Sequence, residues 1–142
     1  MALNNLIGIA GNASTGKDTL ADLFVKSSYT KIGLADPINH IAHTLLNIPK
    51  NQLWTNSENK TEYSRTILQK IGQVMRQVDP NIWIKMTEQR ITNFFAGKPD
   101  TCNCYQLLPN TQGLVITDIR YPNEIKLIKK FNGCVIKLER SN

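Results

Sequence analysis

The spacing of two glycines and a lysine near the start of the chain is that of a phosphate-binding loop. Residues 11–19 read GNASTGKDT and fit the pattern G-x-x-x-x-G-K. In such a loop the glycines let backbone N–H groups converge on phosphate oxygens, and the lysine reaches the β- and γ-phosphates of a nucleotide. The segment predicts a nucleotide-binding loop made of Gly11, Asn12, Ala13, Ser14, Thr15, Gly16, Lys17, Asp18 and Thr19.

Asp18 stands where most loops of this kind carry a serine or threonine that binds magnesium through its hydroxyl. A carboxylate is also a good ligand for Mg²⁺, directly or through water, and Thr19 follows with the displaced hydroxyl. An aspartate in the first turn of a helix can instead serve only to compensate the helix dipole. The sequence leaves both interpretations of Asp18 open.

A second group of residues, on a long predicted helix, could bind another phosphate. Arg65, Gly72 and Arg76 lie along one stripe of that helix, which we expect to be opposite its apolar face. Two guanidinium forks beside a residue without a side chain would leave room for a phosphate to approach. The alternative is a solvated helix surface with an incidental glycine.

Three more polar residues are expected at the carboxyl edge of the predicted sheet, where ligands of parallel sheets bind. Asp118 follows a buried strand and suits magnesium, while Arg120 just beyond it could bind phosphate. Asp118 could instead cap the next helix. Asp36 ends the second strand before Pro37, and either caps the next helix or touches the acceptor sugar or orients its phosphate.

These candidate sites need a scaffold, and strand and helix patterns alternate along the chain. Short apolar runs predict strands over residues 6–10, 29–35, 114–117 and 134–138, with apolar residues at helical spacing between them. Crossover helices of this length favour parallel strands with helices on both faces. The sequence predicts an α/β fold of three layers, α/β/α, around a mostly parallel sheet. Gly133 is expected to provide the C-cap of the helix over residues 122–131.

The length and composition of the chain limit the classes of protein to which it can belong. The chain has 142 residues, enough for one domain, and an apolar fraction of 41%, normal for a globular protein. No apolar run approaches the ~20 residues that span a bilayer, and no signal peptide is apparent, so we expect a cytoplasmic location and no membrane partner. The net charge of +6 suits anionic ligands such as nucleotides or nucleic acid, although a plain basic surface would also give it. We expect nucleotides as ligands and no nucleic-acid partner. The cysteines are expected to be reduced thiols, because a zinc site would need more ligands at better spacing.

Four segments resemble, in the right order, the phage-type deoxynucleoside monophosphate kinases: GKDT, LADPI, RTILQKIGQVMRQVDPNIW and TDIRYPNE. The last segment is the most specific, and members of this family likewise carry aspartate after the loop lysine. The resemblance implies a P-loop kinase fold and transfer of the γ-phosphate from ATP with Mg²⁺ to a deoxynucleoside 5′-monophosphate. Such chemistry needs mainly alignment and charge neutralisation.

The resemblance implies catalytic roles for Lys17, Asp18 and Arg120, and magnesium binding by Asp18 and Asp118. Trp83 also falls on a motif position, without an assigned role. The resemblance and the helix patterns together place acceptor binding on helices over about residues 37–95. The expected acceptor-binding residues are Asp36, Arg65, Gln69, Gly72, Arg76 and Arg120.

The chain departs from the family in several places. Gln73 and Val74 replace the usual Thr-Glu, the connection over residues 96–113 has no counterpart, and only residues 139–142 follow the last strand. The chain over residues 1–142 is therefore expected to be a single kinase domain with a truncated C-terminal lid, which binds ATP but transfers phosphate slowly. Two alternatives remain: another small-molecule P-loop kinase similar to the animal phosphomevalonate kinases, and a nucleotide-binding fragment without turnover. The preferred base is not predicted, and a homodimer is left open.

Overall fold

The computed structural model describes residues 5–11, 16–54, 59–107 and 110–139. The strands are β1 (Leu6–Gly11), β2 (Tyr29–Gly33), β3 (Gly113–Ile119) and β4 (Cys134–Leu138). The α-helices are α1 (Lys17–Lys26), α2 (Asp36–Leu46), α3 (Glu62–Val78), α4 (Ile82–Phe95) and α5 (Pro122–Lys130), with a short 3₁₀ helix at Lys50–Gln52. None of the helices in these ranges combines the length and apolar character that crossing a membrane requires.

The strands form one parallel sheet in the order β2-β3-β1-β4. β1 and β3 are therefore neighbours at the centre, although most of the chain separates them. Such an order requires crossover connections, and helices supply them. The predicted α/β fold with a mostly parallel sheet is confirmed.

The alternating side chains of β1 explain why the sheet has a helix on each face. Ile7 and Ile9 pack in one cluster with Ala21 of α1 and Val115 of β3. Gly8 points to the other face, where a β-carbon on it would come 3.1 Å from Cγ1 of Ile128 in α5. Because α1 and α5 lie on opposite faces, the fold has the three predicted layers, α/β/α.

The chain divides into two compact units, Met1–Leu34 with Thr87–Asn142, and Ala35–Met86. The first unit contains the whole sheet. The second unit contains α2 and α3, and its core is formed by Ala42, Ile48 and Leu53, against which Ile67, Leu68 and Ile71 of α3 pack. A single kinase domain over the whole chain stays a prediction.

The turn after α5 differs from the expected glycine cap. Asn132, with φ of 60°, is the left-handed residue there, and its N–H donates to the carbonyl of Lys129 at 3.0 Å. The N–H of Gly133 donates to the carbonyl of Ile128 at 2.9 Å. These are the two bonds of a Schellman motif with asparagine in the left-handed position. Gly133 is needed for another reason, because a β-carbon on it would lie 2.8 Å from the carbonyl oxygen of Leu6.

Candidate active site

The phosphate-loop pattern lies between β1 and α1, as its mechanism requires. β1 ends at Gly11 and α1 begins at Lys17. Gly16 precedes the helix with φ of 86°, a left-handed conformation that a residue with a β-carbon adopts only with strain. The predicted ATP contacts of Asn12, Ala13, Ser14 and Thr15 lie outside the described residues.

Lys17 and Asp118 meet at the carboxyl end of the sheet. Nζ of Lys17 donates to Oδ1 of Asp118 at 2.8 Å, and the lysine side chain is only 13% exposed. The two residues are far apart in sequence, but β3 is the parallel neighbour of β1. The pairing of these strands shifts register between Gly8 and Ala10, and Ala10 then pairs with Ile119. Asp118 lies at this irregularity with φ of 67°, so a local bulge directs its carboxylate toward the loop lysine.

Asp118 does not cap the next helix, so that alternative is wrong. The residue before α5 is Tyr121, and Oε1 of Glu124 accepts the backbone N–H groups of Arg120 at 2.7 Å and Tyr121 at 2.9 Å. Glu124, at the third helical position, thus reaches back to the backbone at the start of the helix, as in a capping box. Arg120 is exposed just beyond the end of β3.

The acidic residues of this region have the chemistry that magnesium prefers. Asp18 and Thr19 are exposed in the first turn of α1, and no side chain caps that helix. Mg²⁺ usually binds one or two carboxylates together with phosphate oxygens and water. Asp18 and Asp118 match this donor set, so the residues fit the ion that the resemblance implies. The exposed position of Asp18 suits both a metal ligand and a residue that compensates the helix dipole.

Asp36 is the first residue of α2 and a member of the second unit. The residue before the helix is Ala35, so Asp36 occupies the first helical position and not the N-cap that the sequence suggested. The carboxylate is buried, with the residue 6% exposed, and its Oδ1 accepts the indole N–H of Trp54 at 3.0 Å. A buried carboxylate needs such a donor because burial removes its hydration.

Gly72 of α3 is buried, so its predicted position opposite the apolar face is wrong. A β-carbon on Gly72 would lie 3.3 Å from Nη1 of Arg76 and 3.5 Å from Cδ1 of Ile38. The carbonyl of Gly72 accepts the indole N–H of Trp83 at 3.2 Å. The missing side chain therefore leaves room for the Arg76 guanidinium beside the helix backbone.

The remaining acceptor candidates on α3 are Arg65 and Gln69, and both are exposed. α3 begins at Glu62 with Thr61 as its N-cap, whose side chain accepts the N–H of Ser64. This start places both residues within the first turns of one continuous helix. Apart from residues 12–15, each predicted site residue is therefore located. Among the described site residues of the first unit, the direct side-chain contact is that of Lys17 with Asp118.

A buried ion pair in the first unit was not predicted. Arg90 of α4 donates through Nε to Oδ1 of Asp100 at 2.8 Å and through Nη2 to Oδ2 at 3.0 Å, and both side chains are fully buried. Nη1 of Arg90 donates to the carbonyl of Gly33 at 3.0 Å, at the carboxyl end of β2. Arg90 lies at helical spacing from Ile91 and Phe94, on the buried stripe of α4. A charge on such a stripe requires a partner, so the spacing could have shown that Arg90 is paired, but not that Asp100 is its partner.

The pKa of the Asp100 carboxyl reflects two opposing effects. Burial by itself would raise the pKa, but the hydrogen bonds and the positive charge of Arg90 lower it by more. Backbone N–H groups of Cys104 and Cys102 lower it further. Asp100 is therefore ionised and anchors the connection that follows α4.

Comparison with known proteins gives one distant relative. No protein-family model matches the chain. A protein of Acanthamoeba polyphaga mimivirus named "Putative deoxynucleotide monophosphate kinase" is 25% identical over 153 aligned positions, which cover 95% of this chain and 74% of the viral protein. The similarity extends along nearly the whole chain, so it is not confined to the phosphate-loop pattern. The chain is thus a distant relative of a protein named as a nucleotide kinase.

Proposed function

We propose that the chain is an ATP-dependent kinase that transfers the γ-phosphate of ATP to a deoxynucleoside 5′-monophosphate and releases the diphosphate. The viral relative's name supports a kinase at a coarse level. The deoxynucleoside monophosphate as acceptor is supported by that name and by the resemblance of the segments GKDT and TDIRYPNE.

The observation that carries the proposal is the 2.8 Å contact of Lys17 with Asp118. It joins an ammonium group at the N-terminus of α1 to a carboxylate at the carboxyl end of β3. Helix N-termini and lysines at this position suit phosphate, and carboxylates at this edge suit a metal-bound nucleotide. The proposal assigns Nζ of Lys17 to the phosphates of ATP.

The residues of the first unit have distinct roles in this proposal. Asp18 and Asp118 would hold Mg²⁺, which supplies positive charge to the phosphate being transferred. Lys17 and the exposed Arg120 would bind phosphate oxygens and orient the γ-phosphate. The residues of the loop, from Gly11 to Thr19, would surround the phosphates with backbone N–H groups.

The acceptor is assigned to residues of the second unit. Arg76, whose guanidinium lies beside Gly72, would bind the monophosphate with two N–H groups. Arg65 and Gln69 of the same helix would add contacts to the nucleotide. The carboxylate of Asp36, held by the indole N–H of Trp54, would contact the acceptor sugar or orient the acceptor phosphate through neighbouring groups.

An acceptor screen tests the proposal. ADP formation is measured with ATP and Mg²⁺ for each of the four deoxynucleoside monophosphates, and for phosphomevalonate as the substrate of the alternative kinase class. We expect ADP formation that depends on at least one deoxynucleoside monophosphate. Activity with phosphomevalonate alone, or no acceptor-dependent ADP formation, would overturn the acceptor assignment.

A further inference from the structure

Two thiols and a carboxylate converge in the connection after α4. Asp100, Cys102 and Cys104 alternate in sequence, and one ligand atom of each lies within 4.8 Å of the others. Asp100 and Cys102 are buried, whereas Cys104 is half-buried and borders solvent. In the described ranges of the chain, this is the place where three potential metal ligands come together.

The backbone turns around the Asp100 carboxylate. The N–H of Asn103 donates to the carbonyl of Asp100 at 3.1 Å, and Asn103 has the left-handed φ of 59°. The N–H groups of Cys104 and Tyr105 then donate to Oδ2 of Asp100 at 2.9 and 3.3 Å. This turn brings both thiols to the same carboxylate, and Arg90 fixes the carboxylate from the opposite side.

The two oxygens of Asp100 differ in how fully they are used. Each carboxylate oxygen can accept about two hydrogen bonds. Oδ2 accepts from Arg90, Cys104 and Tyr105. Oδ1 accepts from Nε of Arg90 and has a long contact, 3.4 Å, to the backbone N–H of Cys102. Oδ1 also accepts the S–H of Cys102 at 3.6 Å, so loss of that thiol proton would leave Oδ1 available on the side of the thiols.

The charges of the cluster suit a divalent cation. The guanidinium of Arg90 and the carboxylate of Asp100 already neutralise each other. Two thiolates would balance a cation of charge two and leave the whole group neutral, which a buried site requires. The S–H of Cys102 donates to Oδ1 of Asp100 and the S–H of Cys104 donates to the carbonyl of Cys102, so a cation would have to displace both protons.

We propose that Cys102 and Cys104 bind a thiophilic divalent cation of the zinc class, with Oδ1 of Asp100 as the third protein ligand. Binding replaces two S–H bonds with two metal–sulfur bonds and releases two protons to solvent. Zinc sites with three protein ligands take water in the fourth position, and the half-exposed side of Cys104 admits one. The ion would fix the connection after α4, and it has no part in phosphate transfer, so the inference is independent of the kinase proposal.

Cobalt and zinc titrations of the whole reduced chain test this site. We expect one equivalent of Co²⁺ to produce a thiolate-to-cobalt absorption band, and Zn²⁺ to displace it. Cys102→Ser and Cys104→Ser should each abolish the band, and Asp100→Asn should weaken binding. Cys134→Ser is the matched control, because Cys134 is exposed and lies elsewhere, on β4, and the band should persist in it.

Circular dichroism and thermal unfolding show whether each variant is folded. If Cys102→Ser destabilises the core, Cys104→Ser still tests the site, because Cys104 is only half-buried. A band that disappears in Cys134→Ser would overturn the proposal. The proposal would also be overturned if the cobalt band of the wild type were no stronger than that of a folded Cys104→Ser variant.

Discussion

The ammonium group of Lys17 and the carboxylate of Asp118 are the residues on which the nucleotide site depends. Their contact needs two separate features of the chain, the glycine that opens α1 and the register shift between β1 and β3. A bound nucleotide would replace the carboxylate with phosphate oxygens as partners of the lysine. Each residue can therefore be tested by a single substitution without disturbing the core of the sheet.

Lys17→Ala is expected to abolish measurable ATP binding and to leave the fold intact, because the side chain provides positive charge to phosphate rather than to the core. Calorimetry with ATP gives the affinity, and thermal unfolding checks the fold. Lys26→Ala is the matched control, since Lys26 lies exposed in the last turn of the same helix. Unchanged ATP affinity in a folded Lys17→Ala variant would refute the phosphate-loop assignment.

Asp18→Asn separates the two interpretations of that residue. If Asp18 binds magnesium, the variant should need more Mg²⁺ for ATP binding while its melting temperature stays close to that of the wild type. Asp22→Asn, at another exposed aspartate of α1, serves as the control for the loss of one charge. A variant that melts earlier but shows the wild-type magnesium titration would mean that Asp18 only compensates the helix dipole.

Most of the residues proposed to bind the acceptor lie on the helix α3. Arg76→Ala should weaken binding of the monophosphate by about 10- to 100-fold, because a hydrogen bond to a charged group contributes about 1.5–3 kcal/mol. ATP affinity should remain unchanged. Lys70→Ala, an exposed cation on the same helix, controls for net charge and should have little effect. Equal losses for both ligands in Arg76→Ala would contradict separate sites for donor and acceptor.

The connection after α4 depends on the buried pair of Arg90 with Asp100. Arg90→Met should lower the free energy of unfolding by about 3–5 kcal/mol, because it leaves a buried carboxylate without its cation. Denaturant unfolding measures the change. Adding Asp100→Asn removes that charge while keeping an oxygen for the backbone donors, so the double variant should recover part of the loss. A double variant as unstable as the sum of two single losses would contradict this reasoning.

The contribution of the Arg90–Asp100 pair to the free energy of unfolding depends on pH, and the sign of this dependence follows from the pKa of Asp100. The pKa of Asp100 is lowered in the folded chain, so its stabilising contribution is present above the unfolded value of about 3.9 and is lost as the pH falls through the folded value. In Arg90→Met the carboxylate lacks its cation and is protonated more easily. The difference in stability between the wild type and Arg90→Met should therefore narrow in acid.

The elements were largely predictable from sequence because their signals are local. Each strand is a short apolar run, and the predicted strand over residues 134–138 matches β4. Errors arose where two residues could fill one role. Asn132 rather than Gly133 takes the left-handed position after α5, since asparagine tolerates that conformation and the glycine is needed for close approach to Leu6.

The contacts between distant segments were beyond sequence reasoning. The pattern placed Lys17 and Asp118 at the same edge of a sheet, but their 2.8 Å contact depends on a strand order that the sequence does not specify. The hydrogen bond of Trp54 with Asp36 and the pair of Arg90 with Asp100 depend on how loops return to helices. The local spacing of residues does not specify where a loop folds back against a helix.

For the molecule as a whole, the central claim is that ATP donates a phosphate to a deoxynucleoside monophosphate. The most direct measurement follows labelled γ-phosphate from ATP into product, with Mg²⁺ and each deoxynucleoside monophosphate, for the wild type and for Lys17→Ala. The account predicts a labelled deoxynucleoside diphosphate with at least one acceptor in the wild type, and none with Lys17→Ala. The account would be contradicted if the wild type bound both ATP and the monophosphate but formed no more labelled diphosphate than Lys17→Ala does.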